Sequence, residues 1–462
     1  MSFPRYPKYK DSGVEWLGEV PDHWKVDRFK RSTVAWCNGI WGNEPQGNHD
    51  DIVCVRVADF DRQRLRVVLD SPTLRNVTAR EREGRLLAQG DLLLEKSGGG
   101  ELQPVGCVVI YDHPQLAVCS NFVARIEIAP EMDASYWRYC HAAAYTVRLN
   151  SRSIKQTSGI QNLDQQQYFD ERAPFPPVSE QRAIAAFLDD ATARIDALLT
   201  EQRRLIKLLQ EKRQTVIAQA VSKGLNRDAP AKQSGVEWIG RIPAHWNVRS
   251  LGMVTLSRCD GPFGSGLKSE HYTDAGVRVI RLQNIRADGF AAGDEAFIDP
   301  HYYETMLRGH DVQAGDVLVA GLGDDNNTVG RACVAPQGIE PAMVKADCFR
   351  FRVDKEVALP EFVALQLSAG APTDAGKLSS GSTRSRIPLS VMSTRRVALP
   401  PLAEQRAIVD YVQQSSAVVD SMIAEAEHAT MLLQEHRLAA ISAAVTGKID
   451  VRNYSAGQAE AA

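Results

Sequence analysis

The sequence predicts an α+β fold: two pseudo-symmetric mixed α/β domains separated by two long helices that form an antiparallel coiled coil. Three observations carry this. "SGVEWLGEVPDHWKV" (Ser12 to Val26) returns as "SGVEWIGRIPAHWNV" (Ser234 to Val248), with ten of fifteen letters identical. "PPVSEQRAIAAFL" from Pro176 returns as "PPLAEQRAIVDYV" from Pro400, and "LLQEKR" from Leu208 as "LLQEHR" from Leu432. Each proline pair then leads into a long stretch with a seven-residue apolar repeat, the mark of a coiled-coil seam.

Between these landmarks fainter echoes keep their order. "VRVADF" (Val55 to Phe60) corresponds to "IRLQNI" (Ile280 to Ile285), and "QGDLLL" (Gln89 to Leu94) to "AGDVLV" (Ala314 to Val319). The chain is one unit written twice, with matched ends and a diverged middle. The middle of each unit reads as strands in "DIVCVRV", "GCVVIYD" and "FVARIEIA", and as helix near "SYWRYCHAAA" and "PEFVALQLS". The repeat gives these boundaries: 1–26, an N-terminal segment; 27–177, the first mixed domain; 178–224, the first long helix; 225–248, the repeated junction; 249–398, the second mixed domain; 399–447, the second long helix; 448–462, a flexible tail.

In the first helix the seam is read through Ile184, Leu188, Ile195, Leu198, Leu205 and Leu209. In the second it runs through Ile408, Val412, Val419, Met422 and Leu433. Prolines ahead of each helix cost no internal hydrogen bond, and Gly224 and Gly447 stand where each should stop. A helix from Glu180 to Ser222 would be about 64 Å long at 1.5 Å per residue.

Composition sets the outer limits. A length of 462 residues exceeds one compact domain, and 44% hydrophobic with 24% charged residues is ordinary for a globular protein. A formal net charge of −3 gives no global sign of nucleic-acid binding, although the charge on one face is what counts. No apolar run approaches a membrane span, no signal-like h-region opens the chain, and a cytoplasmic protein is expected. The eight cysteines lack metal-ligand spacing and read as reduced core thiols.

The search for chemistry is negative. "GPFGSGLKS" (Gly261 to Ser269) is close to a phosphate-binding loop, but Leu267 separates Gly266 from Lys268, and a recognition loop carrying Lys268 and Ser269 fits better. "GDLLLEKSGGG" offers Asp91, Glu95 and Lys96, faintly like a metal-dependent nuclease centre. The second copy keeps Asp316 but has Ala320 and Gly321 in the other places, so Gly-Asp reads as a turn before a strand. His23 and His245 each lie beside a Trp and read as structural. No methyltransferase, zinc-protease or serine-hydrolase constellation is present, so the chain is expected to bind and not to react: catalytic residues none, metal none. Polar and basic runs do occur, including "RFKR" (Arg28 to Arg31), "RQRLR" (Arg62 to Arg66), "SRSIKQTSGIQN" (Ser151 to Asn162) and "SGSTRSR" (Ser380 to Arg386). The last two hold equivalent places before the proline pairs, where Lys/Arg with Ser/Thr/Gln/Asn suits phosphate contact and base-edge hydrogen bonding together.

Taken together, "SGVEWxGxxPxHW", "GPFGSGLKS…RVIRLQNI", the turn "GD(L/V)L(L/V)" and "PPxxEQRAI" resemble the specificity subunit of type I restriction–modification systems, the HsdS family, over nearly the whole chain. The resemblance implies two target recognition domains, each reading one half of a split double-stranded DNA sequence, with the helices as spacer. It implies docking of two modification (methyltransferase) subunits and of restriction subunits. S-adenosylmethionine, ATP and Mg are expected on those partners, with no cofactor in this chain. A fused restriction–methylation enzyme or nuclease, and a scaffold that holds methyltransferases without reading sequence, are the other classes considered. The DNA-contact candidates are Arg56, Lys96, Ser97, Lys155, Gln156, Ser158 and Asn162 in the first domain. In the second they are Lys268, Ser269, Arg281, Gln283, Asn284, Thr383, Arg384 and Arg386. Arg56 and Arg281 match across the repeat and suit a shared phosphate contact or a structural ion pair. Trp16, Trp24, Trp238 and Trp246 are read as structural anchors against a helix base or a partner.

Overall fold

The repeated tryptophan phrase folds the same way twice. Tyr9–Asp11 pairs antiparallel with Glu19–Pro21, and Ala231–Gln233 with Arg241–Pro243. Ser12 and Ser234 close the two turns, donating from their backbone N–H to Gly18 O (3.0 Å) and Gly240 O (2.9 Å). The computed structural model describes residues 4–157, 159–324, 327–375 and 385–454.

The phrase ends on an indole buried against a carboxylate. Trp24 Nε1 donates to Glu180 Oε2 (2.9 Å), with His23 Nε2 at 2.6 Å from Oε1 and Tyr6 OH donating to Oε2 at 3.2 Å. In the second copy Trp246 Nε1 donates to Glu404 Oε1 (3.1 Å), and His245 Nε2 lies 2.7 Å from Oε2. Both glutamates belong to the "EQRAI" phrase and sit in the first turn of a long helix, Val178–Lys223 or Leu402–Val445. Trp16 donates to Arg172 O (3.0 Å), and Trp238 packs against Gly370, where a Cβ would lie 2.4 Å from the ring. All four indoles make these contacts within the chain itself.

The chain forms two compact units: Met1–Arg203 with Glu427–Ala462, and Arg204–Ala426. Each contains one mixed domain, the start of one long helix and the end of the other. In the first unit the helix start at Glu180 and the helix end at Gly447 meet at Trp24; Gly447 has φ +71° and no room for a Cβ beside Pro21. In the second, Glu404 and Gly224 (φ +69°) meet at Trp246. Within each unit the two helix segments therefore run in opposite directions. The chain after Gly447 is not a free tail throughout, since residues 448–454 are packed. Asp450 N–H donates to Pro4 O (2.8 Å), Val451 is buried, and the Tyr454 ring lies 5.0 Å from that of Phe187.

Burial corrects the helix seam by one residue at alternate positions. Ile184, Leu188, Ile195, Leu209, Ile408, Val412 and Val419 are buried and Leu433 is half-buried. Leu198, Leu205 and Met422 are exposed; Leu199 is buried and Ile206 and Ile423 are half-buried in their stead. Neighbouring helix residues differ by only about 100° around the axis. Where both neighbours are apolar, four-three and three-four spacings fit the sequence equally well. The corrected seam also carries Arg213 and Arg437. Arg437 Nε lies 3.4 Å from Asp196 Oδ1 in the first unit, and Arg213 Nη1 3.3 Å from Asp420 Oδ1 in the second. These are one ion pair repeated at an offset of 224 residues.

Both mixed domains share a sheet order. In the first, Thr33–Asn38, Val123–Ile128, Leu92–Glu95 and Val108–Ile110 lie side by side, all antiparallel. In the second, Thr255–Cys259, Cys348–Val353, Val317–Ala320 and Ala332–Val334 do the same. A parallel pair accompanies each, Ala117–Cys119 with Asp51–Val55 and Ala342–Val344 with Val277–Ile280. The predicted helices are present as Ala134–Thr146 and Pro360–Gly370. The "EQ" glutamines tie them to the long helices, because Gln181 Oε1 accepts from Asp133 N (3.0 Å) and Gln405 Oε1 from Leu359 N (2.8 Å). Asp133 and Leu359 are the N-caps of those two helices.

Two stability tests follow. Asp196 and Arg437 are largely buried, whereas Asp420 is half exposed. Asp196→Ala should cost about 3 kcal/mol, because it strands a buried guanidinium, and Asp420→Ala below about 1 kcal/mol. Urea unfolding of the two variants measures this, and equal losses would refute the difference. His141 is fully buried, stacked on Phe29 (4.4 Å) with Nδ1 2.8 Å from Tyr168 OH, and burial pushes its pKa down to about 3. Between pH 6.5 and 3 only the unfolded chain protonates here, so stability is full above about 6.5 and falls on acidification. The slope from this group is up to about 1.4 kcal/mol per pH unit. His141→Leu should be less stable at pH 7 yet show a shallower decline from pH 6.5 to 4; parallel curves would exclude His141 as the source.

Candidate nucleic-acid interface

The Gly-Asp turns are structural, as the repeat implied. Asp91 Oδ2 accepts from Ala88 N (2.7 Å) and pairs with Arg125 (2.6 Å); Asp316 Oδ2 accepts from Gln313 N (2.8 Å) and pairs with Arg352 (2.9 Å). Each turn aims the following strand at one edge of the domain. There, in the first unit, Ser97–Gly98, Ile160–Leu163 and Ile154–Thr157 form a three-stranded sheet. Its register sets Ser97 opposite Asn162 and Asn162 opposite Lys155, so three of the candidate residues stand in a row. Ser97 Oγ donates to Asn162 Oδ1 (2.6 Å), and Lys155 Nζ pairs with Asp164 (2.7 Å) while remaining 71% exposed. The Lys155 hydrogen bond holds the Asp164 carboxyl below its usual range. Gln156 is exposed beside them, and Lys96 is half-buried at the root of the sheet. Ser158 lies outside the described residues.

In the second unit the equivalent pairing is a single bridge, Leu322 with Arg386, at the places of Ser97 and Asn162. Arg386 is exposed, donates from Nε to Asp347 Oδ1 (2.8 Å) and stands 5.2 Å from the Phe263 ring. Lys268 and Ser269 are exposed on the preceding loop, with Lys268 Nζ 3.6 Å from Glu270. Thr383 and Arg384 lie outside the described residues.

One expectation changes. Asn284 is buried, not a surface reader: its Nδ2 donates to Ala291 O (2.9 Å) and Gly293 O (3.0 Å), and its Oδ1 accepts from Arg281 N (2.9 Å). Arg281 pairs with Asp294 (2.6 Å), and Gln283 donates to the same carboxylate. The Gln283 hydrogen bond first, then Arg281, draws the Asp294 carboxyl below its usual range. Arg56 pairs with Asp59 (3.0 Å). The matched arginines thus make ion pairs with their own loops. The basic runs are neutralised likewise: Arg28 and Lys30 reach Asp170 (3.3 and 2.6 Å), and Arg62, Arg64 and Arg66 reach Glu95, Asp61 and Asp112 (2.8, 3.5 and 2.5 Å).

Beside the three-stranded sheet opens a groove of roughly 450 Å³, lined in part by Trp41, Arg56, Ser97, Asn121 and Phe122. Trp41 and Phe122 were not singled out in the sequence. The signal for Trp41 is the phrase "CNGIWG", which returns as "CDGPFG" with Phe263 in the matching place. Among the described residues no cluster of three or more His, Cys, Asp or Glu could hold a metal ion, and no helix is long and apolar enough to cross a membrane.

No protein-family model matches the chain. Curated relatives do. The type I restriction enzyme MjaVIII specificity subunit of Methanocaldococcus jannaschii is 23% identical over 326 residues, covering 67% of this chain and 70% of that one. The EcoKI specificity subunit of Escherichia coli K12 is 24% identical over 274 residues, 58% of this chain and 56% of its own length. A putative type I restriction enzyme MjaX specificity subunit, also from M. jannaschii, is 23% identical over 450 residues, 94% and 96% of the two chains. The chain resembles type I restriction enzyme specificity subunits. Its fold agrees with solved structures of that class. The HsdS subunit from Thermoanaerobacter tengcongensis superposes with a TM-score of 0.52 at 17% identity, covering 93% of this chain and 98% of that one. A chain from a structural study of complex assembly and conformational transition in the type I R-M system gives 0.63 at 17% identity, covering 92% and 98%.

Proposed function

We propose that this chain is the non-catalytic DNA-recognition subunit of a type I restriction–modification complex. Each mixed domain reads one half of a split target, and the two long helices form an antiparallel coiled-coil spacer on which two modification subunits and the restriction subunits dock. The observation that carries this is the pairing of a repeated frame with unlike side chains at its edge. Asn162 and Arg386 hold equivalent bridge positions in the two copies, and Ser97 corresponds to Leu322. A protein reading two unlike half-sites needs equivalent placement and different base-edge chemistry. The repeated ion pair Asp196–Arg437 and Asp420–Arg213 supports the antiparallel spacer, because it fixes one register in both units. The half-site centres then fall about one helical turn of DNA apart, roughly 34 Å. With a net charge of −3 and most arginines of the basic runs internally paired, the isolated chain binds DNA weakly and relies on positive surface from its partners.

The direct experiment maps methylated adenines in cells expressing this chain with its modification subunit, against cells lacking only this chain. A new motif of two specified halves around an unspecified gap is expected; copurification of the two proteins without any motif would favour a scaffold instead. In the assembled complex, Lys155→Ala should weaken cognate and non-cognate duplexes alike and lower the salt slope by about one. Asn162→Ala should instead relax preference within one half-site. Identical behaviour of both variants in a salt titration with matched and mismatched duplexes would remove this pair from the interface.

A further inference from the structure

The two loops "CNGIWG" (Cys37 to Gly42) and "CDGPFG" (Cys259 to Gly264) each follow the first strand of a domain's main sheet, and each carries an exposed aromatic ring. Trp41 is 38% exposed and Phe263 50%. Burying either ring would be favourable by a few kcal/mol, so leaving both in solvent at matched positions needs a reason. Flexibility is not that reason, because the loops are pinned. A Cβ on Gly39 would lie 2.1 Å from Cys119 O, and one on Gly261 would lie 2.0 Å from the Lys345 carbonyl carbon. Gly42 (φ +66°) and Gly264 (φ +56°) then turn the chain away just beyond each ring.

Arginine flanks both rings. The Arg75 guanidinium stands 4.6 Å from the Trp41 ring, is itself buried, and donates from Nε to Trp41 O (3.2 Å). Arg386 stands 5.2 Å from the Phe263 ring. Each ring therefore projects from a rigid loop beside the bridge that carries Asn162 or Arg386. In the first unit the groove next to Trp41 adds a second exposed ring, Phe122. Glu95 and Ser120 also line this groove.

We propose that Trp41 and Phe263 are specificity-determining residues, each laying its ring against the bases of one half of the split DNA target. This rests on the reading of the chain as a DNA-recognition subunit. The contact is apolar, of the kind an aromatic ring makes with a thymine methyl or a partly unstacked base step. Because the loops are preformed, little ordering entropy opposes it.

The test compares Trp41→Ala, Phe263→Ala and Trp41→Phe with the unaltered chain, each assembled with its modification subunits. Methylated positions are mapped, and binding is competed between the mapped target and duplexes mismatched in one half. Trp41→Ala should loosen one half of the motif and Phe263→Ala the other, each lowering preference for the matched half about ten-fold, the scale of one lost base contact. An unaltered motif and unaltered preference in both alanine variants overturn the proposal while leaving the DNA-recognition reading intact. No split motif in the unaltered complex overturns both. If Trp41→Ala abolishes methylation outright, Trp41→Phe decides. Recovery with relaxation confined to one half supports the ring contact; no recovery with a lowered unfolding temperature shows a packing role and overturns it.

Discussion

One carboxylate in each unit, buried at Glu180 and half-buried at Glu404, holds three distant parts of the chain together. Glu180 accepts the indole N–H of Trp24 and the hydroxyl of Tyr6, with the His23 ring against its other oxygen. A carboxylate this buried is tolerable only with its lone pairs occupied, so removing any donor exposes the desolvation of the charge. The donors come from the N-terminal segment, the acceptor from the start of one helix, and the glycine that ends the other helix packs against the same indole. Glu404 repeats the arrangement with Trp246, His245 and Gly224. The adjacent glutamines extend it to the helix of each mixed domain. The direction in which that domain presents its sheet edge therefore depends on two neighbouring side chains.

The seam between the helix segments is specified less by apolar area than by charge. Leucines at adjacent positions, Leu198 and Leu199 or Leu208 and Leu209, would allow the helices to rotate with little loss of buried surface. An arginine and an aspartate at one level of the seam do not allow it, because rotation would separate a partly desolvated pair. Arg437 with Asp196, and Arg213 with Asp420, thus do for register what polar seam residues do in coiled coils.

What was legible in the sequence was what the repeat duplicates. The tryptophan phrases, the proline pairs, the Gly-Asp turns and the helix-ending glycines all proved to be where the two copies needed the same contact. The seam was legible in period but not in phase, since Leu198, Leu205 and Met422 have apolar neighbours one residue on. The candidate readers were legible as a region more than as residues. Ser97, Asn162 and Lys155 came together because strand register aligned them, which no local pattern records. Asn284 failed because an amide beside a turn caps its own loop as readily as it reaches a ligand. Arg56 and Arg281 make the ion pairs that the sequence left open beside a phosphate contact, because the acids that hold them lie near in the fold, Asp59 three residues on and Asp294 thirteen. Trp41 went unnoticed because one aromatic in a loop is ordinary; its repetition as Phe263 between the same glycines is not.

The pattern of divergence has an energetic cause. Substitutions at the exposed ends of strands and on loop tips change stability by only a few tenths of a kcal/mol, whereas loss of a buried partner costs several times more. Glu95 and Ala320 occupy equivalent strand positions, and the difference is tolerated because Arg62 neutralises the acid in one domain while the other needs no partner. Asp91 and Asp316 cannot diverge in this way, since each holds both a turn and an arginine. A chain built so can exchange Asn162 for Arg386, or Trp41 for Phe263, without disturbing the Glu180 and Glu404 clamps that orient the edge. The two halves of the molecule are thereby free to differ in what they contact while remaining alike in how they hold it.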